Sequence, residues 1–327
     1  MEHSKPGVYN EWDTLGRVIV GRTDDFMFPE FDWVFENYQG ISEEVKQGLR
    51  NSAGKTYREV DPDGYELTRA EQDNLASIME SNGVEVVRPT RASDEQRAAG
   101  AVGYTAMFER DNTFAVADEI INCFCRTRAR RKNHPSLFDE ISRIAAETQQ
   151  IHISQPVPSM TTALEDESQP YLEGGDLFIL GQDILVGHAG IATSYAGIDW
   201  LRQHLEPKGY RVHTVELSND FIHLDCVFMT PRPGLAVICW DGLVEGKSAL
   251  PDFMHDWTYL EATQHEAEAM GCNGVNLAPN KTVIGEEHTR IIDLLEAAGV
   301  DLVKIPYANA SAFGGGPRCS THPLLRS

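Results

Sequence analysis

The sequence has 327 residues, with 28 Lys and Arg set against 50 Asp and Glu for a formal net charge of −22. Such acidity excludes a nucleic-acid partner, whose phosphates demand a basic face, and suits a small cationic substrate drawn in by long-range attraction. A hydrophobic content of 41% befits a globular protein with a sizeable core, and no apolar run approaches the roughly 20 residues of a membrane span.

The opening Met1-Glu2-His3-Ser4-Lys5-Pro6 lacks the apolar stretch of a signal peptide, so a cytoplasmic location is expected. Arg17-Val18-Ile19-Val20-Gly21 predicts a short buried strand. Residues 24–63 read as an irregular, partly helical excursion. Its Phe26, Phe28, Phe31, Trp33 and Phe35 are expected to join the core rather than form a lid or interface, because aromatics are usually buried. Thr68 is expected to cap a helix through Ser81, with Glu71 completing a capping box, and Asn82-Gly83 stops it before a strand at 84–87.

From there a pattern recurs. Two short strands are predicted over 114–121 and a helix near 135–147. A hairpin over 175–187 turns at Gly181-Gln182-Asp183 and leads to a helix at 194–205 and a strand at 210–215. Strands at 224–229 and 235–239 flank Thr230-Pro231-Arg232-Pro233-Gly234. Strands at 274–277 and 281–284 precede a helix at 286–298, ended by Gly299, and a strand at 300–305. A hairpin–helix–strand unit recurring at roughly 50 residues implies a cyclic or stacked repeat architecture. No linker composition interrupts it, so residues 1–327 are read as one domain.

The six cysteines, Cys123, Cys125, Cys226, Cys239, Cys272 and Cys319, include no C-x-x-C pair. Neither a disulfide framework nor a structural zinc is expected. Cys319 nonetheless stands out, following Gly314-Gly315-Gly316-Pro317-Arg318. Glycines let a backbone approach a ligand closely, and a cationic neighbour such as Arg318 would favour the nucleophilic thiolate. In the stretch 221–228, read as a strand, His223 and Asp225 are two apart and would share one face, fit to move protons and bind a cation. Glu173 and Asp176 flank two glycines at the entrance to a hairpin, and Asp111 precedes the strand at Phe114. One Cys, one His and these acids suit a guanidinium: carboxylates are its bidentate partners, and its poorly electrophilic carbon calls for a thiolate nucleophile and an acid for the departing nitrogen.

The sequence resembles the amidinotransferase and arginine-deiminase (pentein) superfamily of guanidine-modifying enzymes. The resemblance rests on Asn10-Glu11-Trp12-Asp13-Thr14-Leu15, Arg110-Asp111, Glu173-Gly174-Gly175-Asp176, Gly197-Ile198-Asp199-Trp200-Leu201, His223-Leu224-Asp225 and Gly314-Gly315-Gly316 through Cys319, in the family's order over nearly the whole chain. It implies an α/β fold, a five-bladed α/β-propeller of pseudo-symmetric ββαβ repeats around a central active site. It also implies Cys319 as the nucleophile forming a covalent amidino intermediate, His223 as general acid and base, and Glu173 as its carboxylate partner. Asp111 and Asp225 would grip the guanidinium nitrogens, with Asp176 and Arg318 completing the substrate-binding set; no cofactor or metal is implied.

Within the superfamily an amine attacking the intermediate gives amidino transfer, and water gives a deiminase or dihydrolase. The Asn-Glu-Trp-Asp opening and residues 196–207 are similar to the transferases; Glu173-Gly174-Gly175-Asp176 and Pro317-Arg318-Cys319 are closer to the hydrolases. The sequence is read as an amidinotransferase with a guanidino donor and an amine acceptor. A guanidine or amidine hydrolase is the alternative, and a non-catalytic binding module of the same fold is a third reading; homo-oligomerisation is left open. Family members that bind the α-carboxylate of arginine place an Arg after the second strand of the Glu173 hairpin. Here the sequence reads Val186-Gly187-His188-Ala189-Gly190, leaving Arg126, Arg128, Arg130 and Arg131 as substitutes or as a solvated basic face.

Overall fold

The computed structural model describes residues 5–133 and 135–327; residues 1–4, part of the polar opening, lie outside the described residues. Five three-stranded sheets and one two-stranded sheet are formed among the described residues. The three-stranded sheets repeat one pairing rule: an antiparallel pair, then a third strand parallel to the second. Taken along the chain they are Thr113–Val116, Glu119–Asn122 and Ile151–Ser154; Leu177–Leu180, Asp183–His188 and Arg211–Glu216; Phe228–Arg232, Leu235–Ile238 and Thr258–Glu261; and Val275–Ala278, Lys281–Gly285 and Asp301–Ile305. The remaining sheet joins distant parts of the chain. Thr321–Arg326 lies antiparallel to Leu15–Val20, which is parallel to Glu85–Val87.

Parallel neighbours need a crossover, normally a helix. Pro62–Ser81, Pro135–Thr148, Tyr195–Leu205 and Thr289–Ala297 serve four of the sheets. The remaining crossover, between Ile238 and Thr258, contains only short 3-10 turns, an irregularity in the repeat. The inner strands Leu177–Leu180, Asp183–His188 and Leu235–Ile238 are buried along their whole length, as befits strands covered on both faces. The core lies between neighbouring sheets: Phe178, Leu185, Phe228 and Val237 form one cluster, while Ile121, Ile141, Ile184 and Leu201 belong to another.

Several sequence expectations need correction. The first long helix begins at Pro62, not after Thr68. Asp61 accepts from Gly64 N at 2.9 Å, and proline at the first helical position supports this earlier start. Thr68 sits mid-helix with its hydroxyl 3.1 Å from that of Tyr57. Glu71 instead caps a different helix, accepting from Ala310 N at 2.8 Å. In the excursion Phe26 and Phe28 are buried in an aromatic cluster with Tyr57 and Tyr65, but Phe31, Trp33 and Phe35 are only half-buried.

Candidate active site

The acids and the histidine come from the ends of different elements. Asp111 precedes Thr113–Val116, and Glu173-Gly174-Gly175-Asp176 leads into Leu177–Leu180. Gly174 and Gly175 are there for close approach: a Cβ on Gly174 would lie 2.0 Å from the Arg110 carbonyl oxygen, and one on Gly175 would lie 2.7 Å from Asp111 Oδ1 and His223 Nδ1. Without side chains there, Gly175 N donates to Asp111 Oδ1 at 2.7 Å. Gly174→Ala is expected to lower unfolding free energy by about 1–3 kcal/mol, the usual cost of overpacking, measurable by urea denaturation.

His223 and Asp225 do not lie on a strand. Residues Leu224–Cys226 form a 3-10 turn, because Asp176 Oδ1 accepts from Leu224 N at 3.0 Å and pulls the backbone out of extension. The turn sends the two side chains to different partners. His223 Nε2 lies 3.0 Å from Glu173 Oε2 and its Nδ1 lies 3.7 Å from Asp111 Oδ1. Asp225 Oδ2 meets the Cys319 thiol, whose S–H donates to it at 3.4 Å. Asp176 was expected to touch substrate; the structure makes it the support of this turn, fully buried, with burial pushing its carboxyl up to about 7.

Charge balance sets the protonation states. Burial alone would push the His223 imidazole down, but the carboxylates of Asp111, Asp176 and Glu173 reverse this and push it up to about 10. Burial likewise opposes ionisation of Asp111 and Glu173; His223 and Arg130 nevertheless hold both carboxyls below their usual values. The result is an imidazolium clasped by two carboxylates.

Arg318 departs from expectation. Its guanidinium donates to Asp225 Oδ2 at 2.9 Å, Glu11 Oε2 at 3.3 Å and the Leu177 carbonyl at 2.8 Å, and stacks over Phe178 at 3.7 Å. Those groups commit it to the interior rather than to a ligand. Nor does it make the resting thiol ionise: burial, then the charges of Asp225 and Asp111, push the Cys319 thiol well up, outweighing Arg318.

Two further residues belong to the site: Asn273, which the sequence did not single out, and Arg130, which it offered only as a substitute carboxylate-binding arginine or part of a solvated face. Asn273, in Gly271-Cys272-Asn273-Gly274, clamps Cys319 through both its backbone and its sulfur. Arg130 donates to Asp111 Oδ2 at 2.6 Å and to the Phe108 carbonyl at 2.9 Å, and lies 3.6 Å from Glu173 Oε2. The basic run 126–131 is thus not a solvated face. Arg126 is fully buried, donating to the Ala192 and Leu164 carbonyls and to Glu167, and Arg131 donates to the Cys125 and Arg126 carbonyls. Where an arginine was sought after Asp183–His188, His188 lies 2.9 Å from Glu216 and 3.4 Å from Glu167. Asp111, Glu173 and His223 hold their ligating atoms within 4.8 Å of one another, but a protonated imidazole has no lone pair to give a metal, and Arg130 already engages both carboxylates.

Known proteins resemble this chain in sequence and in fold. The arginine deiminase family matches over residues 260–326, a segment that includes Asn273 and Cys319. The L-arginine:L-lysine amidinotransferase of Pseudomonas savastanoi pv. phaseolicola is 25% identical over 354 residues, spanning 97% of this chain and 93% of that protein. The mitochondrial glycine amidinotransferase of Danio rerio is 25% identical over 365 residues, spanning 97% of this chain and 82% of that protein. Among solved structures, the amidinotransferase SxtG of Microseira wollei superposes with a TM-score of 0.82 at 21% identity, covering 98% of this chain and 97% of that one. The inosamine-phosphate amidinotransferase of Streptomyces griseus does so at 0.80 and 22%, with the same coverage. The chain thus has an α/β fold like theirs, and it is similar to amidinotransferases over nearly its whole length and to arginine deiminases over residues 260–326.

Proposed function

We propose that the protein is a cysteine-dependent amidinotransferase, moving an amidino group from an arginine-like donor to an amine acceptor through Cys319. The observation that carries this reading is the Cys319 sulfur, held 3.4 Å from the Asp225 carboxylate, in a buried site that also contains the His223–Glu173–Asp111 cluster. A guanidinium entering between these groups meets carboxylates on several sides and an imidazolium able to donate a proton. Amidinotransferase relatives spanning nearly the whole chain support the transfer outcome.

The steps follow from the protonation states. Donor binding brings a positive charge to Asp225, whose carboxylate exchanges the Cys319 S–H for guanidinium N–H groups; the thiol proton passes to solvent and the thiolate is favoured. The thiolate attacks the central guanidino carbon and a C–S bond forms. His223 passes its proton to the departing nitrogen as the C–N bond breaks, leaving a free amine and a Cys319 amidino adduct. An imidazolium near 10 is well matched to an amine whose conjugate acid titrates near 10. The neutral imidazole then accepts a proton from the incoming amine as its nitrogen bonds the amidino carbon, and the C–S bond breaks to release the Cys319 thiolate, which regains its proton from solvent. Glu173 and Asp111 hold the imidazole and stabilise its charged form, while Asp111 and Asp225 bind the guanidino nitrogens.

The five sheets would form the blades of a closed α/β-propeller, residues 1–327 making one domain closed by the pairing of Thr321–Arg326 with Leu15–Val20. A reducing, cytoplasmic setting fits a reaction that needs Cys319 as a free thiol. Hydrolysis is the second reading, favoured by the arginine deiminase match over residues 260–326 and by the likeness in fold to the N-terminal domain of ArgZ, an arginine dihydrolase, at a TM-score of 0.69 and 13% identity.

Incubating the protein with arginine, with and without glycine, and identifying products by mass spectrometry separates the two. Ornithine formed only with the amine, together with a new guanidino compound, is expected. Citrulline or ammonia formed without an amine would make the enzyme a hydrolase. No turnover, but a reactive Cys319, would show that the donor is a different guanidino compound.

A further inference from the structure

The Asn273 side chain makes contacts that fix its orientation. Cys319 N donates to Asn273 Oδ1 at 2.9 Å, and Asn273 Nδ2 donates to the Asp225 carbonyl at 2.9 Å. An N–H can face only the amide oxygen and a carbonyl only the amide nitrogen, so a flipped side chain would break both bonds at once. The second hydrogen of Nδ2 is then left for the Cys319 sulfur, 3.1 Å away. Asn273 is fully buried, and its own carbonyl accepts from Arg318 N at 2.9 Å. A Cβ on Gly316 would come within 2.8 Å of Asn273 Cβ, so the glycine preceding Pro317-Arg318-Cys319 is what lets this clamp close.

The two neighbours of the sulfur play opposite parts. Asp225 accepts, which suits the thiol; Asn273 donates, which suits the thiolate. Once the proton has left and Asp225 has turned to a guanidinium, the Asn273 N–H is the donor that stays on the sulfur. We propose that Asn273 is a catalytic residue that stabilises the Cys319 thiolate, and the leaving thiolate in the second half-reaction, through its Nδ2–H. This rests on the reading of Cys319 as the nucleophile, and it gives the sulfur a hydrogen-bond donor of its own.

A hydrogen bond to a charged acceptor is worth about 1.5–3 kcal/mol, so its removal moves a thiol's titration by about one to two pH units. The test follows the pH dependence of Cys319 alkylation by iodoacetamide in substrate-free enzyme, with Cys319→Ala as the blank. Asn273→Leu preserves the shape of the side chain but neither donates nor accepts; Asn273→Ala is the second variant should leucine prevent folding. Both are expected to raise the midpoint by about one unit or more. The rate well below the midpoint is expected to fall only about threefold, since a more basic thiolate is also more nucleophilic. A purely structural clamp would lower the melting temperature and leave the midpoint in place. Midpoints within a few tenths of a unit of wild type in folded variants would overturn the proposal while leaving the amidinotransferase reading intact. A wild-type Cys319 that resists alkylation at every pH would overturn both.

Discussion

Cys319→Ala is expected to lower turnover by on the order of 10⁴-fold or more, the scale seen when a covalent nucleophile is removed, while the melting temperature stays within a few degrees of wild type. The two halves of this expectation have different physical origins. Turnover collapses because neither transfer nor hydrolysis can begin without the C–S bond. Stability survives because the sulfur carries little of the packing. The ion pairs of Arg318 with Asp225 and Glu11 persist without it, as does the bond from Cys319 N to Asn273 Oδ1. Activity measured beside thermal melting checks both halves. Retention of even a hundredth of wild-type turnover, with products confirmed by mass spectrometry, would rule out Cys319 as the nucleophile.

The second large effect belongs to His223. His223→Gln is expected to lower turnover by about 10³-fold, within the range for loss of a positioned acid–base group. The loss should shrink sharply with an S-alkylisothiourea donor, whose thiolate leaving group needs no proton. The sign of the pH dependence follows from the raised imidazole. A group at about 10 in the fold and about 6.5 when unfolded binds a proton more tightly in the native state. Its contribution to stability is therefore fully present below about 6.5 and is lost as pH rises towards 10. Donor-dependent activity should decline on the same alkaline side, as the proton for the leaving amine disappears. Glu173→Gln removes one of the carboxylates that hold that proton and should bring the alkaline limb to lower pH. Urea denaturation and initial rates across the alkaline range measure the two effects separately. An alkaline limb unmoved in Glu173→Gln would detach it from the His223 cluster.

Much of the site could be read before the structure because its members carry charge or stand beside glycines. Asp111, Glu173, His223, Asp225 and Cys319 come together from four different sheet regions, as their positions at element ends suggested. What misled was local pattern without its tertiary partner. The alternation in 221–228 reads as a strand until the buried Asp176 captures Leu224 N. Thr68 and Glu71 have capping-box spacing, but Asp61-Pro62 supplies the earlier start, and the Glu71 carboxylate is spent on a helix more than 200 residues away. Asn273 gave no signal because a neutral amide between small residues has neither charge nor periodicity. Arg130 could be offered only as one of four arginines in a basic run, because its turn towards the site depends on the Phe108 carbonyl and the Asp111 carboxylate, both distant in sequence.

The pairing of Thr321–Arg326 with Leu15–Val20 has a consequence for how the active site comes into being. Cys319 stands two residues before that strand, and Val20 pairs with Thr321, a contact some 300 residues apart in sequence. Closing a loop of that length costs about 5 kcal/mol of chain entropy, and contacts of such high sequence separation form late in folding. The four local sheets can organise Asp111, Glu173, His223 and Asp225 beforehand, since each draws its strands from neighbouring sequence. The strand Thr321–Arg326, which anchors the chain just beyond Cys319, is seated only when the two ends of the fold have joined. A refolding chain should therefore recover its secondary structure before its activity, with the nucleophile as the last part of the machinery to be put in place.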